Sequence, residues 1–343
     1  MTRAGRHGLA LAVAVLLAAC ANTPPADPFA AAGRAWPEPP AAARIGFVTG
    51  FHAPADLGIR PTFWRRAAAL ATGARDDGMI LPMAVAATAD GQVVYVADPG
   101  AHGLHRYDLR RGRYDCLQPE SGAGLVAPVA LAMDAAGRVY LSDSAAGVVY
   151  VAAPGATALS ALDLAPPPVQ PTGLAALPDG GLAVVDTHEH HIRQYDADGR
   201  LLRDVGARGA APGRLNYPTG LWLDPPADLL VADTLNFRIQ RLGPDGHVRE
   251  LFGRPGDGSG GFGRPKGVAA DRAGHVWVTD GMHNAVHLFD RSGRLLLALG
   301  EVGTGPGQFW LPNGIFVTPA GLVFVADTYN RRVQVFRLLG EPS

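Results

Sequence analysis

From residue 82 onward the chain repeats one order of apolar and polar positions. A Pro opens a short apolar run ("GLWLD", "GVAAD", "GIFVT"). A turn follows, then a β-branched run ending in Asp ("DLLVAD", "HVWVTD", "LVFVAD"). A polar loop leads to an alternating run ("RIQRL", "AVHLF", "RVQVF"), and a Gly-containing turn leads to a fourth ("HVRELFG", "RLLLALG"). Runs this short, with turn residues every ~8–12 positions, predict strands and an all-β fold.

Two markers keep step along the chain. The run-ending acids are Asp98, Asp143, Asp186, Asp233, Asp280 and Asp327, spaced by 45, 43, 47, 47 and 47 residues. The prolines are Pro82, Pro128, Pro171, Pro218, Pro265 and Pro312, each followed two residues later by Gly or Ala. Four strands in a unit of ~40–50 residues make a propeller blade. The fold class expected is therefore a six-bladed β-propeller of four-stranded antiparallel blades, starting near 81, 126, 169, 216, 263 and 310. The sixth unit has only three strands, and "RIGFVTGF" at 44–51 supplies the fourth. An N-terminal strand completing the last blade closes the ring and leaves no bare sheet edge. The propeller is expected to span 44–340, with a short helix at about 61–72 between Pro61 and Gly73.

Ahead of it, Arg3 and Arg6 precede an apolar run, Leu9 to Cys20, too short for a permanent membrane span. This reads as a signal peptide, residues 1–20. "LAAC" at 17–20 resembles the lipobox of bacterial lipoproteins. The resemblance implies lipid attachment at Cys20 and, with Ala rather than Asp at position 21, an outer-membrane lipoprotein facing the periplasm or the exterior. Residues 21–43 are rich in Ala and Pro and read as a tether. With Cys20 acylated, Cys116 has no cysteine to pair with and is expected to be a small buried apolar residue. A formal charge of −1, from 30 basic and 31 acidic residues, carries no nucleic-acid signature.

The segment D-x-x-N-x-R-[VI]-Q after a V-A-D strand ("VADTLNFRIQ", "VADTYNRRVQ"), preceded by "GTGPGQFWLPNGI", resembles the NHL repeat. The likeness covers roughly 82–339 and is weakest in "DSAAGVVYVAA". It implies a six-bladed propeller, in agreement with the count of units. Similar propellers that act as peptidyl-hydroxyglycine amidating lyases carry zinc-binding His directly after the Pro. No unit here does, so that activity is not carried over.

Several features are candidates for chemistry. "GSGGFG" at 258–263 fits a phosphate-loop pattern but precedes a strand, not a helix, and is set aside. An Asp repeated in every unit reads as a turn-maker. His102, His188, His190 and His283 lie in loops on one face, with His191 in the Arg position of the repeat. The residues after the prolines vary, and four are polar: Thr172, Thr219, Lys266 and Asn313. These are expected to ring the channel mouth, where a ligand would bind. No paired acid and base, nucleophile elbow or metal triad appears. The expectation is a monomeric, cofactor-free binding module for a protein, peptide or glycan partner, held at the membrane by its lipid. The alternative is a periplasmic lyase or hydrolase with a metal-assisted site on the loop face.

Overall fold

A computed structural model describes residues 29, 33–60, 77–258 and 260–339. The signal peptide, most of the tether and the segment expected to be helical at 61–72 lie outside the described residues.

Six antiparallel sheets follow one another along the chain. Blade 4 is typical. Leu221–Asp224 is innermost, Asp228–Asp233 and Arg238–Leu242 follow, and Val248–Phe252 is outermost. The sixth blade is built from Pro312–Val317, Leu322–Asp327 and Arg332–Leu338, with Ile45–Phe51 paired antiparallel to the last of these. Closure by the N-terminal strand is therefore as expected. Ala35–Trp36 adds two further residues to that sheet, so ordered pairing begins within the stretch read as tether.

The core lies between blades. Trp277, Val286 and Leu288 of blade 5 pack with Ile315, Val323 and Phe336 of blade 6 and with Ile45 of the closing strand. Each second strand is buried along its length, because both of its faces meet a neighbouring blade. This explains the near-continuous apolar runs before each Asp. Outer strands alternate instead, as in Val248–Phe252. Cys116 is on such a strand, Arg113–Leu117, and is exposed, not buried as expected. Tyr114 and Leu117 take the inward positions there. An alternating run does not by itself tell which of its faces meets solvent.

The small residue two places after each Pro has a steric cause. A Cβ on Gly220 would stand 2.4 Å from the carbonyl oxygen of Lys266 in the next blade. At Gly173 it would meet Thr219 O at 2.5 Å, and at Gly267 Asn313 O at 2.6 Å. The innermost strands thus approach backbone to backbone around the axis.

Candidate functional site

Pro128, Pro171, Pro265 and Pro312 each pair directly with the Asp that ends the next strand. The loops before the first strands and after the second strands therefore open at one end of the propeller. The six acids are fully buried there and serve as anchors. Asp143 accepts the backbone N–H groups of Val126 (2.7 Å), Ala127 (2.9 Å) and Ala146 (3.1 Å). In blade 6 the same acid is a hub. Asp327 accepts from Trp310 N, Asn330 Nδ2, Arg332 Nε (2.8 Å) and Gln334 Nε2. Arg332 and Gln334 also donate to the carbonyl of Gln308, which holds the loop leading into the blade. Blade 4 repeats this with Asp233, Asn236, Arg238 and Gln240. The acids, with this Asn and Arg, are structural.

Where the Asp is occupied in this way, it no longer accepts the N–H next to the Pro. That group turns to the preceding blade. Tyr217 N–H donates to His190 Nδ1 (3.0 Å), and Leu311 N–H to Asn284 Oδ1 (2.8 Å). The residue four places after each Asp is left-handed in every blade: His102, Gly147, His190, Phe237, Asn284 and Arg331 have φ between 51° and 68°.

These contacts place the candidate histidines. His190 is buried and accepts its neighbour's N–H, and burial lowers its pKa, with help from Arg208 and His188. His188 is exposed beside Glu189 (2.8 Å). His283 contacts Asp280 and Asp257. His191 lies on a different strand position near Asp204 (3.7 Å). His102 takes the left-handed turn position of blade 1. Among the described residues no three His, Cys, Asp or Glu side chains converge as a metal would require.

The residues after the prolines do converge. Met83, Val129, Thr172, Thr219, Lys266 and Asn313 all line one central cavity of about 160 Å³. Below them its wall is largely apolar, including Leu131, Leu174, Leu221, Val268 and Ile315. The two threonines are already engaged. Thr172 pairs with Thr187 (2.7 Å), whose hydroxyl donates to Pro218 O, and Thr219 pairs with Thr234 and donates to Lys266 O. Asn313 Nδ2 reaches Met83 Sδ (3.6 Å). Among the described residues Lys266 is the one charged residue of the lining, and no carboxylate makes an ion pair with it. Burial, with a smaller contribution from Arg264, lowers its pKa to about 8.

Two features escape a reading by motif. Lys266 is the chain's single lysine, the other 29 of the 30 basic residues being arginine. A count by residue type would have singled it out. The second is the rim. Among the described residues eleven large apolar side chains are exposed, and eight belong to two loops of the repeat on this end. Ile80, Val126, Val169, Tyr217 and Trp310 stand one or two places before a Pro. Leu235, Met282 and Tyr329 stand two places after an Asp. Trp310 and Tyr329 touch, with ring centroids 5.6 Å apart.

Fold and cavity together define a six-bladed propeller with an apolar central cavity, one buried-edge cation and an apolar rim. The chain belongs to the SMP-30/gluconolactonase/LRE-like family, whose profile matches residues 84–302, and residues 309–336 match the NHL repeat. No curated protein matches. Solved structures share the fold. Virginiamycin B lyase from Staphylococcus aureus is 17% identical with a TM-score of 0.55, over 76% of this chain and 95% of that one. The calcium-binding protein regucalcin from Agrobacterium tumefaciens is 16% identical with a TM-score of 0.55, over 76% and 90%. An auxiliary nutrient binding protein from Bacteroides ovatus is 15% identical with a TM-score of 0.59, over 77% and 71%. A divalent cation like that of regucalcin does not fit the central cavity here. Among the described residues its side-chain oxygens come from Thr172, Thr219, Ser144 and Asn313, no carboxylate joins them, and a lysine shares the space.

Proposed function

We propose that the protein is a binding module that presents the cavity end of its propeller to a polypeptide partner, while a lipid on Cys20 holds it at the outer membrane. The observation that carries this is the rim. Eight exposed apolar side chains recur in two loops of the repeat, around a single opening. Soluble surfaces scatter such residues singly, and their gathering marks an interaction surface. Most of the eight are aliphatic, which suits a polypeptide better than a glycan. The blades keep the loops in fixed places, so affinity does not require ordering them on binding. The nutrient binding protein and the lyase share only the fold at these identities, so neither decides the role. A metal-assisted enzyme finds no donor cluster among the described residues.

The test uses differential capture from envelope extracts. A Trp310→Ser/Tyr329→Ser protein should lose one discrete partner that the wild type retains. A Leu202→Ser/Leu251→Ser protein, altered on outer strands away from the rim, should keep it. Equal capture by all three proteins would defeat the proposal.

A further inference from the structure

The central cavity holds an ammonium that makes no bond across a blade interface among the described residues. Lys266 meets blade 4 through its backbone carbonyl, which accepts from Thr219, and its side chain is not used there. Thr234 donates to Pro265 O and Thr328 to Pro82 O, so the neighbouring bonds are complete without it. Asp280, the acid at the same end of blade 5, spends its oxygens on the N–H groups of Gly263, Arg264, Met282 and His283. Arg264, the nearby base, repels the ammonium. The flanking innermost strands bring no charge at 219–221 or 313–315. A chain that uses arginine 29 times out of 30 places its one lysine here. A compact ammonium suits a narrow cavity that a planar guanidinium would fill.

We infer that the cavity binds a small apolar monocarboxylate, with its carboxylate on Lys266 and its body against the channel wall. One cation matches one negative charge. The hydroxyls of Thr172 and Thr219 are spent, so a strongly hydrated dianion such as phosphate would find only Asn313 and Ser144 as further side-chain donors. Leu131, Leu174, Leu221, Val268 and Ile315 suit a hydrocarbon body. A volume of about 160 Å³ resembles the ~150 Å³ cavities that take benzene, so the ligand is of that size. The same chemistry has two sources: a free organic acid, or the C-terminal carboxylate of a polypeptide. The cavity can fill whether or not a partner covers the rim, so this inference and the proposed function can fail separately.

The full-length protein in detergent is titrated with benzoate, and with benzamide as its neutral counterpart. N-acetylvaline and N-acetylvalinamide form a second pair that mimics a chain terminus. Because Lys266 is the only lysine, reductive ¹³C-methylation gives one lysine signal to follow. Benzoate, N-acetylvaline or both should bind at least tenfold more tightly than the matching amide and raise the titration midpoint of that signal. Lys266→Met should weaken the bound acid at least tenfold. Benzoate alone would identify a free acid, and N-acetylvaline a chain terminus. The inference is overturned if neither acid moves the midpoint, if amides bind as well as acids, or if Lys266→Met leaves acid affinity unchanged. Trp310→Ser/Tyr329→Ser should leave benzoate binding within twofold of the wild type while removing the rim partner.

Discussion

Asp327 and Asp143 hold equivalent places in blades 6 and 2, but their removal should cost different amounts. Asp143 is buried but accepts only backbone N–H groups, those of the exposed Val126 and Ala146 and the half-buried Ala127, which water can reach once the carboxylate is gone. Its change to Ala should cost about 1–3 kcal/mol. Asp327 also carries Arg332, Gln334 and Asn330. Taking it away strands a guanidinium whose remaining partners are the carbonyls of Thr304, Gly305 and Gln308. Removing one member of a buried charge pair costs about 3–5 kcal/mol. Urea unfolding followed by tryptophan fluorescence measures both. In a thermal scan, at roughly 2 °C per kcal/mol for a large domain, Asp327→Ala should lower Tm by about 6–10 °C. Adding Arg332→Met to Asp327→Ala should restore part of the loss, because no unpaired charge remains. Equal costs at the two acids, or a double variant no more stable than Asp327→Ala, would show that the hub does not act as described.

Lys266→Met should stabilise the protein by up to about 3 kcal/mol at pH 7. The lysine's folded pKa of about 8 lies below its ordinary 10.5, so its penalty is full below pH 8 and fades as pH rises to 10.5. The gap between the two unfolding curves should close over that window. His190→Asn should keep the bond to Tyr217, as Asn284 does for Leu311, and remove one source of acid sensitivity. Burial lowers this imidazole's pKa, so stability tied to it is lost as pH falls through its unfolded value of about 6.5, and the variant's curve should be flatter there. Gly220→Ala should destabilise by at least about 2 kcal/mol by forcing two innermost strands apart, whereas Gly258→Ala, which meets nothing within 4 Å, should change stability by less than about 0.5 kcal/mol. Cys20→Ser should move the protein from the membrane fraction to the soluble one.

The blade count and ring closure were legible because Asp and Pro recur in register, and a repeated marker reports on the backbone shared by all blades. Their reasons were less legible. The bonds of Asp327 to Trp310 span 17 residues backwards, and the demand for Gly220 comes from Lys266 in another blade. Neither partner is visible in the local pattern. The mouth residues Thr172, Thr219, Lys266 and Asn313 could be placed in advance because they follow a marker. The rim could not, since Val126 or Met282 alone is an ordinary exposed residue and gains meaning only when eight stand together. Cys116 was misplaced because alternation on an outer strand leaves the solvent side undetermined.

Closure has a consequence for the order of synthesis. Partners in the last blade, from Phe51 with Val333 to Ile45 with Leu338, are 282 to 293 residues apart. The strand made first stays without its neighbour until nearly the whole chain has emerged, and contacts of such separation form late. A chain interrupted just before residue 332 would hold five blades, two strands of the sixth with an open edge, and an orphan N-terminal strand, the kind of species that aggregates or is degraded. The seam in blade 6 is thus a completeness check: only a chain carried through to its last strand can shut.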